Sequence, residues 1–189
     1  MTTTRPPMDP TTSEATHRQL ELARAQGDAY GAALAHMTDD VAHDGGEQRA
    51  GDYLVGYAVE EAEGMYAWVD GSLQWQGAGD DNAHVEVSVR DAGDGRFVPG
   101  LTVEVTLTAP DGTVVGRCEQ PMLWHPMIYH YGRNWRLPAD GEYSLHVRIE
   151  PPTFMRHDEV NGQRFTEPVE VDFTGVSIER GAEKPLEDQ

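Results

Sequence analysis

The sequence predicts an all-β fold, an immunoglobulin-like β-sandwich with one added N-terminal helix. Three observations point there. The hydrophobic period switches from 3.6 to 2 after residue 52. About seven short alternating runs then follow, separated by turn signals and with no helical stretch among them, which is the pattern of a sandwich. Finally, 189 residues with 38% hydrophobic content are enough for one domain with a substantial core.

Residues 1–12 are rich in Thr and Pro and read as a disordered tail. From Ser13 a helical pattern begins, with Leu20, Ala23, Gly27, Tyr30, Leu34 and Met37 at alternating spacings of three and four. Ser13 or Thr12 is the expected cap, and the stripe is a packing surface. An acidic, glycine-bearing linker from Thr38 to Asp52 closes the 13–52 segment. The sandwich is expected over 53–178. Its strands start with Tyr53–Val59 and Met65–Trp75, broken near Glu60–Gly64 and at Asp70–Gly71. In Ala83–Arg90, Val85, Val87 and Val89 alternate with His84, Glu86 and Ser88, and Leu101–Thr108 alternates likewise. Pro110-Asp111-Gly112 is a hairpin turn leading into Thr113–Cys118. Glu142–Ile149 and Val169–Ile178 complete the set, and 179–189 form an acidic C-terminal tail.

Composition excludes several functions. A net charge of −19 repels nucleic-acid phosphates. No apolar run approaches the roughly 18 residues of a membrane span. The lone Cys118 rules out an internal disulfide framework and an all-cysteine zinc knuckle. The opening MTTTRPPMDP has no basic segment followed by an apolar run, so as written the chain reads as cytoplasmic.

Chemistry concentrates in two proline-gated connections and one strand. Pro121–Trp135 carries two Met, two His, two Tyr and two Trp, far more than a connection between strands requires. Pro151–Asp158 adds Met155 and His157, while His84 and Glu86 point to one face of their strand. Imidazole and thioether donors together suit copper, with iron, manganese or zinc admitted where a carboxylate joins. His84, Met122, His130 and His157, with Glu86 close by, thus form a candidate mononuclear site gathered from three segments. A plainer reading makes His84 and Glu86 a solvated strand face and Met122 and Met155 core fillers. His17, His36, His43 and His146 read as solvated, and Cys118 as a half-buried strand residue. No nucleophile has a base beside it, so the chain is not expected to be an enzyme, although copper-dependent oxidation of Fe(II) stays open.

Several segments in series resemble the bacterial periplasmic ferrous-iron transport protein family. They are Val59-Glu60 with Glu63-Gly64-Met65, Ala83-His84-Val85-Glu86, Val98-Pro99-Gly100-Leu101-Thr102-Val103, Pro121-Met122, His130-Tyr131-Gly132-Arg133-Asn134, Pro138 with Gly141-Glu142-Tyr143, Pro151-Pro152, Arg156-His157-Asp158, and the strand Pro168–Phe173. The resemblance implies an Ig-like homodimer that binds copper and works beside a membrane iron permease outside the cytoplasm. It implies His84, Met122, His130 and His157 as copper ligands. Glu86 is then an alternative ligand through which iron or manganese is engaged, and Met65 is a lower-ranked contributor. The connection Leu123–Tyr129 is one residue longer than in that family and brings His125 and Met127 as additional metal candidates. The N-terminal helix has no counterpart there.

Two other functions compete. A cupredoxin would use His84 upstream and Cys118, His125 and Met127 downstream, but six residues separate Cys118 from His125 and one separates His125 from Met127. A metal-free interaction module would instead use the aromatic connection as its contact surface.

Overall fold

The computed structural model describes residues 8–182. One helix, α1 (His17–His36), runs into a π-helical turn, Met37–Val41. Eleven strands follow: β1 (Asp44–Ala50), β2 (Tyr53–Glu60), β3 (Met65–Val69), β4 (Ser72–Gln76), β5 (Ala83–Asp91), β6 (Val103–Thr108), β7 (Val114–Glu119), β8 (Met122–Trp124), β9 (Tyr129–Trp135), β10 (Gly141–Ile149) and β11 (Val169–Ile178). Nine of them build two facing sheets, ordered β1-β2-β5-β9-β8 and β11-β10-β6-β7. The other two, β3 and β4, form a separate hairpin. The β-sandwich and its N-terminal helix are thus as the sequence predicts.

The core lies between the two sheets. Val55, Val85, Val87 and Val89 meet Val103, Val105, Leu107, Leu145, Val147 and Ile149, all fully buried. Each such side chain contributes about 1.5–3 kcal/mol by leaving water. The Tyr131 hydroxyl accepts from Leu101 N–H at 3.0 Å and donates to the Val98 carbonyl at 2.8 Å, tying the β5–β6 connection to the sheet.

The helix begins later than the sequence cue at Thr12 or Ser13. Its cap is Thr16, whose hydroxyl accepts from Gln19 N–H while Gln19 Oε1 accepts from Thr16 N–H at 2.9 Å. This T-x-x-Q capping box satisfies two otherwise orphaned donors and fixes the start. Leu20, Ala23, Gly27 and Met37 of the expected stripe are buried. At Gly27 a Cβ would lie 1.8 Å from the Asp94 carbonyl oxygen, so the helix backbone rests directly on the β5–β6 connection and only glycine fits.

Three expectations need correction. The supposed linker 38–52 contains β1, which pairs with β2 over its whole length from Asp44↔Val59 to Ala50↔Tyr53. It is an edge strand with polar side chains, so hydrophobic alternation does not betray it. Pro121–Trp135 is no irregular connection but supplies β8, a short turn and β9, with His130 inside the five-stranded sheet. The described end of the supposed tail is docked: the Thr12 hydroxyl donates to Asp158 Oδ2 at 2.5 Å and Asp9 N–H to Asn161 Oδ1 at 2.8 Å. Residues 1–7 of the expected disordered tail 1–12 and residues 183–189 of the expected acidic tail 179–189 lie outside the described residues.

Candidate metal centre

The five-stranded sheet has two faces. Val85, Val87 and Tyr131 point into the core, so His84, Glu86, Gly132 and Asn134 point the other way, in the register His84↔Asn134 and Glu86↔Gly132. An outward face of an antiparallel sheet is normally wet. Here it is covered, because α1 lies across it and the 61–64 segment crosses at the end of β2. His84 is 0%, Glu86 4% and His130 4% exposed, which overturns the solvated-face reading.

Among the described residues, His84, Glu86 and His130 form a group of potential ligands whose donor atoms all lie within 4.8 Å of one another. Glu86 Oε1 is 3.1 Å from His130 Nε2 and 3.9 Å from His84 Nε2. Neither approach has hydrogen-bond geometry: His84 Nε2 and both ring nitrogens of His130 are buried without a hydrogen-bond partner. Orphaned buried donors and acceptors are costly, on the order of 1–3 kcal/mol each, and two imidazole Nε2 atoms converging on one carboxylate fit a bound cation.

The surroundings prepare these groups as ligands. Asn134 accepts from Glu63 N–H at 3.2 Å through Oδ1 and donates to the Glu63 carbonyl at 2.7 Å through Nδ2, which fixes its amide orientation. Its Oδ1 therefore accepts the proton of His84 Nδ1 at 2.9 Å, leaving a bare lone pair on His84 Nε2 toward Glu86. Gly132 sits between the two rings. A Cβ there would lie 3.0 Å from His84 Nε2 and 3.2 Å from His130 Cδ2, filling the space a cation needs.

Electrostatics agree. Burial, reinforced by Glu60 and Glu63, pushes the Glu86 carboxyl up to about 8. Burial, with His84 and His125, holds His130 down to about 3, and burial also lowers His84. Near neutrality both imidazoles are unprotonated, as ligation requires, and only Glu86 has a proton to give up.

The structure does not bring the other candidates into this group within one chain. On β8, Met122 pairs with Tyr131 and Leu123 with His130, so Leu123 and not Met122 shares the His130 face; Met122 is half exposed. His157 is exposed beside a cavity formed with Ala15, Gln19 and Arg156, at the helix N-terminal end. In the β8–β9 turn, His125 Nδ1 accepts from Met127 N–H at 3.2 Å, which puts the ring proton on Nε2, and Met127 is exposed. Met65 is half-buried at the start of β3, two residues beyond the Glu63 that Asn134 holds. Cys118 belongs to β7 of the other sheet and packs against the core, on the far side from His84, which removes the cupredoxin arrangement. His36 and His146 are exposed and paired with Asp40 and Asp172. Sequence reasoning missed Asn134 and Gly132 as parts of the site, although both stand in the His-Tyr-Gly-Arg-Asn run. A glycine inside a strand is itself a sign of close approach.

A cavity of about 370 Å³ lies between α1 and the outward sheet face, with Glu86 and His130 on its wall. It exists because Gly45, Gly56 and Ala58 leave the floor without bulk.

Residues 76–177 match the family model described as Fe2+ transport protein. Among solved structures, the copper-reconstituted P19 protein from Campylobacter jejuni superposes with a TM-score of 0.62 at 18% identity, covering 73% of this chain and 96% of that one. FetP from uropathogenic Escherichia coli strain F11, expressed in the periplasm, gives 0.58 at 20% identity, covering 70% and 93%. A copper-bound variant of the same FetP gives 0.60 at 20% identity, covering 70% and 94%. At these identities the likeness establishes a shared fold. No curated protein sequence matches the chain.

Proposed function

Because the chain belongs to the Fe2+ transport protein family, whose match at 76–177 spans more than half of its 189 residues, we propose that it is a metal-binding protein of an iron-uptake system. We assign metal binding to the 53–178 sandwich, with His84, Glu86 and His130 as the inner ligands. The observation that carries this is the convergence of two buried, unpartnered imidazole nitrogens, His84 Nε2 and His130 Nε2, on one buried carboxylate. Two imidazoles and a carboxylate suit divalent first-row ions, so Fe(II) or Mn(II) is the cargo engaged through Glu86.

Copper, the ion in the superposed P19 and FetP structures, is the resident metal in this reading, and when bound it supplies one-electron chemistry toward iron. Met122 and His157 are exposed in a single chain, and we assign them to the contact between two copies, where a homodimer completes the copper site. The exposed Tyr66, Trp68, Leu73 and Trp75 of the β3–β4 hairpin offer apolar surface for such a contact. The location in this reading is outside the cytoplasm, beside a membrane iron permease; among the described residues no helix is long and apolar enough to cross a membrane.

The test is titration of metal-free protein with Cu(II) and, anaerobically, Fe(II), beside His130→Ala, Met122→Ala and His157→Ala. His130→Ala should weaken both ions by roughly a hundredfold or more, as expected for loss of a ligand. Met122→Ala and His157→Ala should weaken copper alone. A parent protein without measurable affinity for either ion refutes the reading.

A further inference from the structure

The three inner ligands are sealed from solvent, so a cation needs a route to them. The cavity beneath α1 reaches Glu86 and His130 and is graded from outside to inside. Asp39 and Glu47 are exposed at its edge, whereas Ser88 is 6%, Glu86 4% and His130 4% exposed at depth. These side chains present oxygen donors in sequence, ending on an imidazole whose two nitrogens are buried and without a hydrogen-bond partner. Arg90, the cation of this wall, is ion-paired with Glu47, so it does not oppose an incoming positive charge. At about 30 Å³ per water, a volume of about 370 Å³ holds on the order of a dozen waters, enough for an ion with a shell of about six.

From this grading we infer that the cavity is the admission chamber for a hydrated divalent cation. Asp39 collects the ion, and water is exchanged for Ser88 and Glu86 oxygens before the imidazoles take over. The inference rests on the metal-centre reading above and adds a kinetic role for α1, which lies outside the matched residues 76–177. In this chain the N-terminal segment sets how fast metal arrives, while the sandwich sets how tightly it stays.

The test is stopped-flow mixing of the metal-free full chain with Co(II), followed by its visible absorption. Ala35→Phe places a ring at the exposed edge of the cavity. It should slow association at least about tenfold and dissociation in parallel, leaving Kd within about threefold, since the ligands themselves are untouched. Asp39→Asn, a surface change that leaves folding intact, should lower the association rate about two- to fivefold at low ionic strength and flatten its salt dependence. Association at the parent rate in both variants overturns the chamber and leaves the metal centre standing. Lost affinity in Ala35→Phe without slower association also overturns it. Absence of Co(II) binding to the parent overturns the chamber and the metal-centre reading together.

Discussion

Gly132 and Glu86 decide what the centre does. Placing a methyl at Gly132 puts a carbon 3.0 Å from His84 Nε2 on a strand already held by hydrogen bonds. Gly132→Ala should therefore lower metal affinity at least about tenfold while costing the metal-free fold no more than the roughly 1–3 kcal/mol of local overpacking. Calorimetric titration beside a thermal melt separates the two, and parent affinity in this variant would show that the space between the rings is not used. Glu86 controls pH dependence. Its folded value is raised from 4.5 to about 8, so the folded state holds a proton that the unfolded state has lost, and metal-free stability falls as pH rises between those values. The slope is at most about 1.4 kcal/mol per pH unit. His130 is lowered from 6.5 to about 3, so stability also falls as pH drops from 6.5 toward 3. The melting temperature of chelator-treated protein should peak between about pH 4.5 and 6.5 and decline toward 8. Bound metal needs Glu86 ionised and should shift the peak upward. A metal-free melting temperature that climbs steadily to pH 8 contradicts a protonated Glu86. The pairing of His84 with Glu86 is legible in sequence because strand periodicity is 2. Their burial is not, because the cover comes from a helix far upstream. Asn134 was likewise illegible as a positioning residue, since its partner Glu63 meets it only through sheet topology.

At the scale of elements, α1 is anchored more by shape than by strong apolar contact. Its buried positions include Ala23 and Gly27, while Tyr30 stacks on Phe97 with ring centroids 5.6 Å apart and donates its hydroxyl proton to the Tyr129 carbonyl. That last bond links the helix to the residue before His130. Gly27→Ala gains about 1 kcal/mol in helix propensity but forces a carbon to within 1.8 Å of Asp94 O, which the β5–β6 backbone must yield to relieve. The net effect should be destabilisation of about 1–3 kcal/mol, with Co(II) association faster than in the parent as the helix lifts. An unchanged denaturation midpoint would show that the helix does not rest on that connection. The helix itself is legible from its 3.6-residue stripe, and its start was misplaced only because Thr12 and Ser13 compete with Thr16 as caps. By contrast, β1 was hidden: Asp44-Gly45-Gly46-Glu47-Gln48-Arg49-Ala50 has no alternation, and an edge strand is held by backbone pairing on one side. The β3–β4 hairpin was legible at its turn, where Asp70 and Gly71 both adopt positive φ, 49° and 78°, as the Asp-Gly pair suggests.

Seen whole, the molecule is a sandwich whose core reads directly from alternating valines and leucines, with a chemical face that depends on long-range cover. Its four tryptophans are distributed in a way that matters for anyone watching it by light. Trp68, Trp75 and Trp124 are 75%, 58% and 69% exposed, while Trp135 is 5% exposed at the end of β9. Three indoles are exposed in a single chain, two of them on the hairpin assigned to the contact between two copies. A monomer should thus emit with a red-shifted maximum that moves little on denaturation, whereas the homodimer proposed above covers Trp68 and Trp75 and should emit further to the blue; near-ultraviolet circular dichroism should lose its signal on denaturation in either case. A large blue-to-red shift on unfolding would mean that the exposed hairpin indoles are covered in solution. A chain with Trp68, Trp75 and Trp124 each changed to Phe keeps a single buried chromophore, Trp135, in the strand that bears His130 and Asn134. Its quantum yield then becomes an optical gauge of that strand alone, free of the background that the wild-type spectrum carries.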